Sequence, residues 1–148
     1  MSDLPHSDVT EKIIACMYQV HNELGAGFTE KVYRRALALL LREQGLTAVE
    51  EARILVHFHG TVIGTFHVDI VVDGLVLVEI KATRELDALA ESQILNYLKA
   101  AGGGIGLLIN FGKRAVFKRR VMGDPNANLP NVIRKSGTPV SRRQRTAL

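Results

Sequence analysis

The stretch VDIVVDGLVLVEIK, residues 68–81, constrains this chain more than any other. Residues 70–72 and 75–78 are Ile, Val and Leu only, the composition of strand buried on both faces. Asp73-Gly74 between them is a hairpin turn signal. Asp69, Glu79 and Lys81 stand at the outer ends of these runs. Ionised groups in buried strand are costly unless something pairs with them. The three residues therefore mark strand ends that open to water, that hold something charged, or both.

The turn decides whether Asp69 and Glu79 can cooperate, because side chains alternate along a strand and cross-strand partners share a face. A two-residue loop, Asp73-Gly74, pairs Val72 with Leu75 and sends the two carboxylates to opposite faces. A three-residue loop, Val72-Asp73-Gly74, pairs Val71 with Leu75 and His67 with Glu79. It places His67, Asp69, Glu79 and Lys81 on one face, with Gly74 supplying the left-handed residue. A bulge in either strand has the same effect. A joint site thus requires an odd-length loop or a bulge.

The rest of the chain alternates helical and strand periods. SDVTEKIIACMYQVHNELG reads as a helix capped by Asp8 and Glu11, with Val9, Ile13, Cys16, Met17, Val20 and Leu24 on one side. EKVYRRALALLLREQ follows Thr29 as a second helix. RILVHF, VIGTFHVDIVV and LVLVEIKA read as an antiparallel meander, with Gly64 marking a bulge. LDALAESQILNYLKAA is a third helix with Leu89, Ile94, Leu95 and Leu98 inward. IGLLINF is a buried strand and AVFKRRV an alternating strand nearer an edge. The order α-α-β-β-β-α-β-β predicts an α/β domain: a mixed sheet of about five strands flanked by helices, with the crossover helix joining a parallel pair.

Composition sets the class. At 148 residues, 47% hydrophobic and 23% charged, the chain suits one globular domain. No run reaches the roughly 18 apolar residues of a membrane span, and MSDLPHSD is not a secretory leader. The single cysteine, Cys16, excludes an internal disulfide and reads as a buried thiol; a cytoplasmic location is expected. His57 and His59 lack the further ligands of a zinc site. The net charge of +4 is uneven. Residues 118–148 carry Lys118, Arg119, Arg120, Arg134, Lys135, Arg142, Arg143 and Arg145 against one acid, Asp124, whereas the remainder is slightly acidic. We expect residues 1–122 to form the domain and 123–148, rich in Pro, Gly, Asn and Ser, to form a flexible basic tail. A basic tail suits a polyanionic partner, and equally a solvated end.

Two carboxylates and a lysine at a strand end form a recognisable chemical kit. The carboxylates are hard oxygen ligands for an ion such as Mg²⁺. The ammonium can position a water or stabilise developing charge. Taken alone, the residues equally suit a solvated strand end closed by an ion pair. Two further stretches add to them. GFTEKVY places Gly27, Glu30 and Tyr33 in the pattern GxxExxY, and QILNYL places Gln93 and Tyr97 in Q-x₃-Y. By spacing, Glu30 and Tyr33 share one helix face, and Gln93 and Tyr97 share another. Each also has a plain structural role open to it: a helix-start carboxylate, a core aromatic, a surface pair.

With these motifs in order over about residues 8–121, the chain resembles the GxxExxY protein family, a branch of the PD-(D/E)XK nuclease-like superfamily. The resemblance implies a restriction-endonuclease-like core that hydrolyses phosphodiesters with Mg²⁺ or Mn²⁺. It implies Asp69, Glu79 and Glu30 as metal carboxylates, Lys81 as the catalytic lysine, and Gln93 and Tyr97 lining the site. Where the family often has arginine two residues before the aspartate, this chain has His67. Nucleic acid, DNA in preference to RNA, is the expected partner. Tyr33 and Tyr97 would touch it, with Lys113, Arg114, Lys118, Arg119 and Arg120 as a basic patch around the last strand. Little of this chain lies outside the core, so site preference is expected from a homodimer or a protein partner. The competing readings are a nucleic-acid-binding module without turnover and a protein-interaction subunit with a vestigial site.

Overall fold

The computed structural model describes residues 4–141. Two helices come first, α1 (Ser7–Leu24) and α2 (Glu30–Glu43). The meander follows as β1 (Ala48–Phe58), β2 (Thr61–Val72) and β3 (Val76–Lys81). Helix α3 (Ala88–Ala101) crosses to β4 (Gly104–Phe111), and β5 (Ala115–Met122) returns. A short β6 (Val132–Ile133) completes one six-stranded sheet of order β5-β4-β3-β2-β1-β6. Only β3 and β4 run parallel, joined through α3 as expected of a crossover.

The sheet carries a core on each face. Helices α1 and α2 bury Val9, Ile13, Met17, Tyr33, Leu37 and Leu41 against Val76, Val78 and Ile80 of β3 and against Ile105, Leu107 and Ile109 of β4. Each such side chain contributes roughly 1.5–3 kcal/mol on burial. The other face packs α3, through Ala90, Ile94, Leu98 and Ala101, on Leu77 and Leu108. Leu89, expected inward, is 77% exposed, because the buried stripe of α3 runs through Ala90 instead. Helix α1 starts at Ser7, and His6, not Asp8, is its N-cap residue. Thr29 holds the N-cap position of α2 without a side-chain cap bond.

Part of the expected tail belongs to the fold. Strand β6 pairs with β1 at Arg53↔Ile133 and Ile54↔Val132, and Leu129, Val132 and Val140 are buried in the α3-side core. The six-strand count exceeds the expected five for this reason: two residues of strand among Pro, Gly and Asn leave no period to read. Arg142, Arg143 and Arg145 lie outside the described residues. Among the described residues, no helix is long and apolar enough to cross a membrane.

Candidate active site

The β2–β3 hairpin has the odd register that a joint site needs. Its ladder runs Val72↔Val76, Val71↔Leu77 and Ile70↔Val78, which makes the loop Asp73-Gly74-Leu75, one residue later than the three-residue loop drawn from the sequence. Asp73 and Gly74 take φ of 53° and 63°, and the Leu75 N–H donates to the Val72 carbonyl at 2.9 Å. The Asp73 side chain accepts from the Thr47 N–H at 2.8 Å and the Thr47 hydroxyl at 3.1 Å, anchoring the turn to the start of β1.

The ladder stops at Ile70↔Val78, so Asp69 and Glu79 are the first residues beyond it. Where β2 leaves β3, the Ile80 N–H takes a side-chain acceptor instead: Asp69 Oδ2, at 2.7 Å. Strand β1 bends at the same level. Glu51 has φ of 53°, and the pairing passes from Glu50↔Ile70 to Ala52↔Val68 without a Glu51–Asp69 pair. Both strands change face there. Ala48, Ile70 and Val72 pack toward α1 and α2, whereas Ala52, Ile54, Phe66 and Val68 pack toward α3. The change corrects the expectation for His67: lying between Phe66 and Val68, it points away from the α3 side and is exposed.

Glu79 is buried at 6% exposure, and its carboxyl is pushed up to about 9, first by burial and then by the Asp69 carboxyl it touches. Lys81 Nζ lies 3.9 Å from Glu79 Oε2 and pulls the other way. Helix α3 supplies the remaining wall. The Gln93 side-chain amide donates to the Tyr97 hydroxyl at 2.8 Å. Burial and the neighbouring Glu79 and Asp69 raise the Tyr97 hydroxyl well above its ordinary value. The structure thus brings together Asp69, Glu79, Lys81, Gln93 and Tyr97.

Glu30 and Tyr33 lie elsewhere. Tyr33 is fully buried, stacks on Phe111 at 4.4 Å, donates to the Gly25 carbonyl at 2.5 Å and accepts from the Phe28 N–H. It braces the turn ahead of α2 and presents no surface to a nucleic acid, correcting that expectation. Phe111 follows Asn110, which pairs with Lys81, so the start of α2 lies at the same end of the sheet as Lys81. Exposed Glu30 makes no side-chain hydrogen bond or ion pair among the described residues, and no group of three or more His, Cys, Asp or Glu side chains there could hold a metal ion.

The basic residues of β5 do not form one patch. Lys118 and Arg120 both pair with Glu91 of α3, at 3.0 and 2.7 Å. Arg119, between them, turns to the opposite face and donates to the Pro5 carbonyl. Lys113 and Arg114 are exposed in the β4–β5 turn. One supporting residue escaped the sequence reading: Asn110, buried, whose amide exchanges hydrogen bonds with the Thr83 backbone at 2.9 Å each and so holds the chain just after Lys81. A lone polar residue in IGLLINF was the available signal.

Splayed strands, two adjacent carboxylates and a nearby lysine agree with one comparison. A family model described as the PD-(D/E)XK nuclease superfamily matches residues 7–121. The chain belongs to the PD-(D/E)XK nuclease superfamily. The six-stranded mixed sheet with flanking helices is consistent with a restriction-endonuclease-like fold. No curated protein and no solved structure gave a match. PD-(D/E)XK nucleases generally use divalent metals, and the donors here fit one. Asp69 and Glu79 offer adjacent hard oxygens that would hold such a cation, whose charge would favour their ionised forms.

Proposed function

We propose that this chain is a metal-dependent nuclease of the GxxExxY branch, hydrolysing phosphodiester bonds in nucleic acid, with DNA favoured. The meeting of Asp69 and Glu79 where β2 parts from β3, with Lys81 at 3.9 Å from Glu79, carries the reading. Binding alone does not call for two adjacent acids, which repel phosphate unless a cation intervenes.

Asp69 and Glu79 would hold Mg²⁺ or Mn²⁺; Glu30, at the same end of the sheet but outside the cluster, would serve as an outer carboxylate. A bound ion of this kind lowers the pKa of a water and offsets phosphate charge. Lys81 Nζ stands beside Glu79, where it can orient the attacking water and stabilise charge that develops on the phosphate. The Ile80 N–H fixes Asp69, and Gln93 fixes the Tyr97 hydroxyl against Glu79.

The test is cleavage of supercoiled plasmid, linear duplex and single-stranded DNA with Mg²⁺ or Mn²⁺. Lys81→Ala and Glu79→Ala are each expected to lower the rate by about 10²–10³-fold or more. Absence of metal-dependent cutting, with wild type and both variants binding DNA equally, would replace the nuclease by a binding module.

A further inference from the structure

The strand bend at Glu51 and Asp69 has a second effect: it turns Phe66 toward α3. There the Phe66 ring meets Tyr97 at 5.1 Å between centroids. Beside that pair opens a cleft of about 480 Å³, within the roughly 300–1,000 Å³ of ligand sites. Lys81, Gln93 and Tyr97 of the carboxylate cluster line it, together with Phe66, Leu86 and Leu89. A second cleft of about 380 Å³ shares Phe66 and Asn96 with the first and adds His57, Lys99 and Asn131. Phe66 thus borders both hollows.

We propose that this groove holds an unpaired nucleotide next to the scissile phosphate, so that the substrate is single-stranded or locally unpaired nucleic acid. The inference rests on the nuclease reading and names its substrate class. Three features argue for this occupant. The groove is continuous with the carboxylate cluster through Lys81, Gln93 and Tyr97. Its accessible wall is mainly apolar; Tyr97, at 6% exposure, packs against the half-buried Phe66 ring, and Leu89 is exposed. Such a wall suits a base face, which stacks on an aromatic ring whatever its sequence. Its charges are divided as a strand would need. Glu85 and Asp87 line the first cleft along with Lys81, whereas Lys99 is the charged residue that the second cleft adds. A backbone running from Lys81 toward Lys99 keeps phosphates near cations and turns the base into the hollow. In an intact duplex the bases are stacked away from such a wall, and exposing one costs unstacking energy.

The experiment uses the full chain carrying Lys81→Ala, so that binding is read without turnover. Anisotropy follows a fluorescent single-stranded oligodeoxynucleotide and the same sequence as a blunt duplex. Phe66→Leu keeps apolar packing on Tyr97 and removes the ring; Phe66→Ala removes both. Each is expected to weaken single-strand binding about tenfold and to leave duplex binding within twofold, the loss of one base stack. Thermal melting checks that Phe66→Leu is folded. Equal loss on both probes, or no loss on the single strand, overturns the proposal. The nuclease reading fails separately. A Lys81-containing chain that cuts nothing, yet whose single-strand affinity depends on Phe66, keeps the groove and loses the activity. One that cuts duplex equally well with Phe66→Leu keeps the activity and loses the groove.

Discussion

Glu79 is the residue whose environment is most unusual. In the folded chain its carboxyl holds a proton up to about pH 9, against an ordinary 4.5 when unfolded. Between those values the folded state binds more protons than the unfolded state. Stability from this group is therefore fully present below about pH 4.5 and is lost as pH rises through about 9. Without metal, the melting temperature should fall as pH rises from 5 to 9, by an amount on the order of a few kcal/mol in stability. Glu79→Gln mimics the neutral form and should flatten that slope. Mn²⁺ should raise the wild-type melting temperature most at high pH and raise the variant's far less. Equal slopes for wild type and variant would show that Glu79 is ionised in the folded chain. The carboxylate pair was legible in the sequence because charges inside Ile, Val and Leu runs stand out. The place of His67 was not. It depends on a bend at Glu51, a residue of ordinary type whose positive φ no local pattern announces.

At the scale of elements, the approach of α3 to the sheet places Gln93 and Tyr97 over the carboxylates. Gly106 of β4 permits that approach. A Cβ there would lie 2.8 Å from Ile94 Cγ1 and 3.3 Å from Leu98 Cδ1, both fully buried on α3. Gly106→Ala must therefore push α3 outward or force its side chains off their rotamers, at a cost of about 1–3 kcal/mol. Chemical denaturation should show that loss. Activity should fall by more than stability accounts for, because a displaced α3 carries Gln93 and Tyr97 with it. Full activity in a destabilised Gly106→Ala chain would separate α3 from the chemistry. The helices, the meander and the parallel pair followed from period and turn chemistry. The Gly64 bulge did too: the register slips between Val56↔Gly64 and His57↔Val62. The division of the β5 cations was less accessible. Alternation alone sends Lys118 and Arg120 to one face and Arg119 to the other. Reading five basic residues as a patch overlooked that alternation and the Glu91 that pairs with two of them.

For the whole molecule, the segment after β5 combines two roles that truncation can separate. Residues 124–141 add β6 to the edge of β1 and bury Leu129, Val132 and Val140 over the α3-side core. Lys135 pairs with Glu51 at the strand bend, and the Arg53 guanidinium donates to the Lys135 carbonyl. Residues 142–148 bring Arg142, Arg143 and Arg145. Ending the chain after Gly123 uncovers core and should cost several kcal/mol, since each of the three buried side chains contributes roughly 1.5–3 kcal/mol. Weak DNA binding by that chain would say nothing about charge. Ending it after Ser141 removes the three arginines and leaves the packed segment in place. The shorter deletion should leave the melting temperature within a degree or two and weaken DNA binding. It should also reduce the slope of log affinity against log salt by about 0.7–0.9 for each phosphate that the arginines neutralise. Fluorescence anisotropy across a salt series measures both quantities. An unchanged slope would place the whole electrostatic attraction on the folded body, at Lys81, Lys99 and the cations of the β4–β5 turn.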